Sequence, residues 1–179
     1  MNKKLLIVGL ILMVAVCLII RLVPHPANFT PVFALALFAG FYLPKKWSII
    51  LPLAVMLASD LFIGLYDWKL MMVVYGSIAA VFLIGLAFRN KRNILTVLTS
   101  TMLSSILFFV ATNLAVWAFS SWYAHNLKGL MLCYTLAVPF FKNGLMGDLL
   151  FVTIFFGGYE TFKLLVGSKL KVLSAVIVK

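Results

Sequence analysis

RLVPHPANFTPVFALALFAG, residues 21–40, separates two apolar runs and places three prolines, one histidine and one asparagine within its first eleven residues. Because proline fixes φ and has no N–H, this segment is predicted to begin as a stiff, extended connector. Asn28 or Thr30 is then placed to cap a second helix whose first turn holds Pro31. In a chain that is otherwise apolar, this group of polar and conformationally restricted residues predicts an ordered lid at a membrane surface.

The composition of the whole chain excludes a soluble domain. Of its 179 residues, 65% are hydrophobic, the mean hydropathy is +1.17, and four acidic residues stand against fifteen Lys and Arg. A water-soluble domain of this size could not bury so much apolar surface. The chain is therefore predicted to be an all-α integral membrane protein, with residues 1–179 forming a single polytopic membrane domain.

The net charge of +11 could indicate nucleic acid, but the basic residues lie in short clusters between apolar runs. Such clusters are typical of the positive-inside bias, so no nucleic-acid partner is expected. Cys17 and Cys133 lie in apolar runs and are predicted to be buried thiols. Their spacing to the two histidines fits no metal-site template, and neither a metal nor a cofactor is expected.

The apolar runs predict six transmembrane helices. The N-terminal run resembles a signal peptide but has no small-x-small cleavage site, so it is interpreted as a retained first span. The second run is short, at ~21 Å as a helix. The six spans are about Leu5–Val23, Thr30–Leu43, Trp47–Tyr66, Leu70–Phe88, Ile94–Phe119 and Asn143–Val166.

The segment between spans 5 and 6 has a different pattern. Its apolar part, Gly129–Phe141, is ~20 Å long as a helix, and Pro139 near its end disfavours a straight crossing. It is predicted to be a re-entrant or interfacial helix, although a seventh span remains an alternative.

The distribution of charge supports six spans in the inner membrane of a bacterial cell, with both termini in the cytoplasm. This arrangement places eleven basic residues inside and four outside, as the positive-inside rule requires. The outer four are Arg21, Lys69, Lys128 and Lys142. A seventh span would put the C-terminal lysines outside.

The rare polar residues gather in the predicted outer half of the membrane. Ionisable groups inside a bilayer are energetically costly and therefore indicate a functional site. Asp60 and Asp148 are predicted to lie at matching depth in the membrane. The candidate substrate-binding residues are His25, Asn28, Asp60, Asp67, Trp68, Asn113, Trp117, Asn143 and Asp148.

Each of these residues also has a structural explanation. Asp60 and Asp148 could cap a helix or pair with Lys69, Lys142 or Arg21. Asn113 could join two helices, and Trp117 fits an aromatic belt. Glu160 is predicted to pair with Lys163 at i+3 and is not assigned to the site.

The PHPANFTPVFALALFAG stretch resembles a small bacterial membrane family with an N-F-T-P signature. Size and layout also resemble the S-components of energy-coupling-factor (ECF) vitamin transporters, most closely the solitary cobalamin S-components, through the proline-rich first loop and Val74-Tyr75-Gly76. The resemblance implies an outer pocket roofed by the loops after helices 1, 3 and 5. It also implies an energising membrane subunit and ATPases as partners, although span 1 lacks the A-x-x-x-A face used for docking.

These observations predict a substrate-binding membrane transport protein, not an enzyme, that takes up a vitamin-like micronutrient from outside, with cobalamin as one guess. The ligand is expected between spans 3, 5 and 6 under the first loop, with the lipid bilayer around the helices. Two alternatives remain. One is an intramembrane enzyme with Asp60 and Asp148 as an acid/base pair, and the other is a scaffold or assembly protein without a ligand, whose cavity would be filled by side chains.

Overall fold

The structure, a computed structural model, describes residues 3–44 and 48–165, with side chains from Leu6 onward. Trp47, Lys45, Lys46 and the basic C-terminal tail lie outside the described residues. The described chain is helical throughout its regular elements and has no strand, which confirms the predicted all-α class. The helices are α1 Lys3–Leu22, α2 Val32–Tyr42, α3 Ile50–Ile63, α4 Trp68–Phe88, α5 Ile94–Phe119 and α6 Leu127–Val152, which continues through a π-helical turn, Thr153–Gly157.

Three of the described helices are long and apolar enough to cross a membrane: Trp68–Phe88, Ile94–Phe119 and Leu127–Leu165. Three other apolar helical stretches, Leu6–Leu22, Val32–Tyr42 and Ile50–Ile63, are shorter. Large apolar side chains cover the outside of the bundle, with Ile94 81% and Phe62 80% exposed. A monomeric soluble protein rarely exposes so much continuous apolar surface, whereas a lipid-facing bundle requires it.

Helix α2 forms the centre of the bundle, and all eleven of its residues are buried. It packs most extensively against α4, where Gly40 meets the backbone around Phe82 and Gly85 faces Leu37. A Cβ built on Gly85 would lie 2.6 Å from the carbonyl oxygen of Leu37. Because α2 is surrounded by protein, its short length does not have to match the bilayer.

The expectation of a separate re-entrant or interfacial helix over Gly129–Phe141 is wrong. These residues form the first half of α6, which begins after Asn126 and runs helically through Pro139. The Asn126 side chain accepts from the Gly129 N–H and caps the helix. Pro139 has no N–H to donate within the helix. This half of α6 also contacts α5, where the Tyr134 hydroxyl donates to the Val110 carbonyl at 2.7 Å. The helix to Leu165 has 39 residues, about 58 Å at 1.5 Å per residue.

The connection between α1 and α2 is ordered by a tight turn. The Phe29 N–H donates to the Pro26 carbonyl, and Asn28 has φ of 65°, a left-handed conformation that asparagine tolerates. Neither Asn28 nor Thr30 caps α2, contrary to the expectation: Pro31 holds the N-cap position without a side-chain hydrogen bond. The turn directs the Asn28 side chain away from the start of α2.

The opposite end of the bundle is joined by polar contacts. Glu160 accepts from the Tyr42 hydroxyl at 2.7 Å and pairs with Lys163 at 3.0 Å, which confirms the predicted i+3 pair. Arg89 donates to the Leu43 carbonyl at the end of α2. Both cysteines are buried free thiols, as the sequence predicts.

Candidate functional site

A cavity of about 360 Å³ lies where the six helices converge on the α1–α2 connection. On α5 the lining residues are Ser105, Phe108, Phe109, Thr112 and Asn113, and on α6 they are Phe140, Phe141, Gly144, Leu145 and Asp148. Both sets recur at intervals of three or four residues, so each comes from one helix face. Helices α1 to α4 contribute Arg21, Val32, Phe33, Met56, Ile63, Val74 and Ile78.

A second cavity of about 350 Å³ adjoins the first and shares Asn28, Thr112 and Asn113 with it. Its lining also includes Ala115 and Val116, which lie up to about one turn closer to the α5–α6 connection than Thr112 and Asn113 do. The two cavities form adjacent compartments along α5.

Asp148 is the acidic side chain that lines the larger cavity. It is 5% exposed, and its Oδ2 accepts from the Ser105 hydroxyl at 2.6 Å. Neither Lys, Arg nor His in the described ranges lies within ion-pair distance of its carboxylate. A carboxylate at this depth is therefore held by a single side-chain hydrogen bond.

Three more predicted residues also line this cavity. The Asn113 amide donates to the Phe109 carbonyl, which leaves its own side-chain oxygen for a ligand. His25 contacts the Val23 carbonyl through Nδ1 at 2.8 Å. Asn28 lies against Gly144, where an added Cβ would come within 3.4 Å of the Asn28 Cβ.

The α1–α2 connection is packed onto α6 beside Asp148. A Cβ on Gly147 would lie 3.1 Å from the Phe29 Cα, and the Phe29 ring packs edge-on against Phe151 with centroids 5.5 Å apart. Glycine at position 147 is what permits this close approach. The connection is therefore a fixed wall of the cavity in this conformation.

Asp60 is buried but does not line either cavity. Its Oδ1 pairs with the Arg21 guanidinium and its Oδ2 accepts from the Tyr75 hydroxyl at 2.8 Å. Arg21 also donates to the Ser59 hydroxyl and itself lines the larger cavity. The structural alternative, pairing with Arg21, is therefore the arrangement observed for Asp60.

Four other predicted site residues lie away from both cavities. Asp67 caps α4 by accepting from the Lys69 and Leu70 N–H groups, and Trp68 is 61% exposed. The Trp117 indole donates to the Ala124 carbonyl at 3.0 Å and so fastens the α5–α6 connection. Asn143 is half-buried but is not part of the lining. Asp67 and Trp117 therefore have structural roles in this structure, as a helix cap and as a contact within a connection.

Sequence reasoning missed the aromatic lining of the cavities. Phe33 packs edge-on against Phe108, and Phe109 packs on Phe141, with centroids 4.8 Å apart in both pairs. It also missed Ser105 and Thr112, although Ser105, Thr112 and Asn113 share one face at i, i+7 and i+8. That polar stripe on an apolar span was the available signal.

Tyr66 lies between α3 and α4 and lines both cavities. Burial, with a smaller contribution from the Asp60 carboxylate, raises its pKa to about 12. The hydroxyl therefore stays neutral at physiological pH and can donate a hydrogen bond. In residues 3–44 and 48–165 there is no cluster of three or more His, Cys, Asp or Glu side chains able to hold a metal ion.

No curated protein and no solved structure matches the chain. A protein-family match, in contrast, covers residues 1–170 and thus includes all six helices and both cavities. The chain belongs to this family, described as "Family of unknown function (DUF6580)".

Proposed function

We propose that this membrane protein binds a small, vitamin-like solute in the cavity beside Asp148 and takes it up across the bacterial cytoplasmic membrane. The observation that carries the proposal is the cavity itself, about 360 Å³ and located where six helices meet. Small-molecule sites have volumes of roughly 300–1,000 Å³, mostly apolar walls and a few placed polar groups. Phenylalanine rings with Asp148, Asn113 and Thr112 fit that description.

The direction of uptake rests on the charge pattern. The cavity lies toward the α1–α2 connection, which the positive-inside rule assigns to the outer face. The large cluster of aromatic rings at the other end, around Phe38, Tyr42 and Phe156, packs tightly. A solute from outside would thus have the shorter path to Asp148.

The size of the cavity narrows the choice of solute. About 360 Å³ accommodates a solute of one or two rings, whereas cobalamin, with a corrin macrocycle and an attached nucleotide, is far larger. The proposal therefore favours a small micronutrient over cobalamin. An energising subunit with ATPases remains part of the proposal, because the sequence has no nucleotide-binding motif of its own.

The alternatives receive less support from the geometry. An acid/base pair would need Asp60 to be free, but both of its carboxylate oxygens are engaged, by Arg21 and Tyr75. A scaffold without a ligand predicts a cavity filled by side chains, and the space beside Asp148 is open.

Thermal unfolding of the purified chain with a panel of vitamins and other micronutrients tests the proposal. One compound should raise the Tm, since a ligand that binds only the folded state stabilises it. Asp148→Asn should abolish that rise. Glu160→Gln, at the opposite end of the bundle, is the matched control and should retain it.

Uptake into proteoliposomes then separates transport from binding alone. The stabilising compound should accumulate when the protein is supplied with its energising partner, and less so with Asp148→Asn. Accumulation by the protein alone would remove the need for that partner. A flat thermal response to the whole panel, together with no uptake, would contradict the proposal.

A further inference from the structure

We propose that the solute is an organic cation, a protonated amine or a heteroaromatic cation, whose charged group pairs with Asp148 while its apolar body lies among the phenylalanine rings. This inference rests on the proposed function and specifies the substrate class of the same site.

The first step is the charge balance of the cavity. Among the described lining residues, Arg21 and Asp148 carry formal charge, and Arg21 is already neutralised by Asp60 at the cavity wall. The pair contributes no net charge, so an ionised Asp148 gives the site one negative charge. An anionic solute would meet no free cation, whereas a cationic solute would meet an unpaired carboxylate.

The second step is the environment of that carboxylate. Asp148 is buried, and Ser105 supplies one hydrogen bond to Oδ2. Across the part of the chain that the structure describes, no protein group donates to Oδ1. A buried carboxylate without a counter-charge is strongly disfavoured, so Asp148 is neutralised either by a proton or by a cation. A cationic group brought by the ligand would supply that missing partner.

Basic residues nearby do not fill this role. Lys142 is on the same helix but six residues earlier, about 120° around the helix from Asp148, and it is exposed. Arg21 directs its guanidinium to Ser59 and Asp60. The positions of Lys142 and Arg21 on their helices therefore leave Asp148 without a basic partner.

The third step is the aromatic lining. Five phenylalanines line the cavity: Phe33, Phe108, Phe109, Phe140 and Phe141. The rings of Phe33 and Phe108, and those of Phe109 and Phe141, hold one another in place. Aromatic faces attract cations and also accommodate apolar groups, so one wall suits both parts of an organic cation.

An inorganic cation fits less well. Calcium takes six to eight oxygen ligands and magnesium requires an octahedral shell. The cavity offers one carboxylate, the side-chain amides of Asn28 and Asn113, and a few hydroxyls among many rings. Sodium chloride and calcium chloride nevertheless belong in the test as separate arms.

The test uses the full purified chain and three probes of matched shape: benzylamine as the cation, benzyl alcohol as the neutral analogue and benzoate as the anion. Thermal shift titrations should show stabilisation by benzylamine and little or none by the other two. Asp148→Asn should lower the affinity for benzylamine about 30-fold or more, the effect of removing one partner of a buried charge pair. Asp148→Glu should retain the preference for the cation, and Glu160→Gln should leave the titration unchanged.

A ring substitution provides a second, independent readout. Phe108→Leu keeps an apolar side chain but removes the π face, so it should weaken benzylamine more than benzyl alcohol. Because removing a buried charge leaves the apolar packing intact, Asp148→Asn is expected to fold, and its own Tm checks this.

The outcomes separate the two proposals. Benzylamine binding that Asp148→Asn leaves unchanged, a preference for benzoate, or stabilisation by sodium or calcium alone would overturn the cation assignment. If a neutral or anionic micronutrient raises the Tm while benzylamine does not, the cation assignment fails and the uptake proposal stands. No response to any of the probes would overturn the cation assignment, and no response to any micronutrient together with no uptake would overturn both proposals.

Discussion

Arg21 and Asp60 form an ion pair that joins the end of α1 to the end of α3, and the Tyr75 hydroxyl from α4 completes the carboxylate's contacts. The two side chains are only 11% and 3% exposed. The pair fixes three helices around the cavity and cancels the positive charge of Arg21 there. It therefore shapes the site without contributing a net charge to it.

Breaking this pair from one side should be more destabilising than removing it whole. Asp60→Leu or Arg21→Met alone leaves one buried charge unpaired and should lower stability by about 3–5 kcal/mol. The double variant removes both charges and should recover part of that loss. A double-mutant cycle on the Tm in detergent measures the coupling, and strictly additive losses would contradict the assignment.

The close contact between α2 and α4 gives a second prediction. Gly40→Ala or Gly85→Ala places a Cβ against backbone atoms of the opposite helix, which cannot yield as a flexible side chain would. Each change should cost about 1–3 kcal/mol. Gly76→Ala in the same helix is the control, since nothing lies within 4 Å of its added Cβ, and it should be neutral or slightly stabilising. Equal losses at positions 76 and 85 would argue against this account.

The accuracy of the predicted helix boundaries depends on the residues that mark each helix end in the sequence. Span 5 is predicted from its apolar run and is observed at Ile94–Phe119, where the structure shows Asn93 capping its start with a side-chain hydrogen bond. Span 4 begins at Trp68 instead of Leu70, since Asp67 caps it. The prediction for Gly129–Phe141 is wrong because it relies on a short apolar length, ~20 Å as a helix, and on Pro139 disfavouring a straight crossing. Contacts of α6 with α5 override that local preference.

The site could also be predicted only in part, because the partners of its residues depend on tertiary contacts. Asp60 and Asp148 have the same depth and chemistry in the sequence, so depth cannot tell which is paired. That depends on the direction in which Arg21 leaves α1, a tertiary property. Asn28, Asn113 and His25 reach the cavity, whereas Trp117 turns to its own connection. The aromatic lining has no distinguishing signal among sixteen phenylalanines.

Two neighbouring serines on α5, Ser104 and Ser105, allow the contribution of Ser105 to ligand binding to be tested against a serine that bonds only within its helix. Ser105 donates to Asp148 Oδ2 at 2.6 Å and also lies 3.1 Å from the Thr101 carbonyl of its own helix, whereas Ser104 donates to the Ser100 carbonyl. Ser105→Ala should lower ligand affinity about tenfold, because a hydrogen bond to a charged group is lost. Ser104→Ala, equally buried, should leave the affinity unchanged. Ligand titrations by thermal shift compare the two, and equal effects would remove Ser105 from the site.

The cap residue Asp67 tests which acidic residues belong to the site. Asp67→Ala should cost about 1 kcal/mol, because the first turn of α4 loses its cap, but ligand affinity should not change. Asn93→Ala removes the equivalent cap of α5 and should have a similar effect on stability. A selective loss of ligand binding in Asp67→Ala would restore this residue to the site.

The proposed orientation of the bundle in the membrane rests on the basic clusters and can be measured directly. The positive-inside rule places the α5–α6 connection outside and the α4–α5 connection inside. In a chain with Cys17→Ser and Cys133→Ser, Trp122→Cys should react with a membrane-impermeant maleimide in intact cells, because Trp122 is 75% exposed. Lys91→Cys, also exposed, should react only after the membrane is permeabilised. The reverse pattern would put the cavity on the cytoplasmic side, and uptake would then have to be replaced by export.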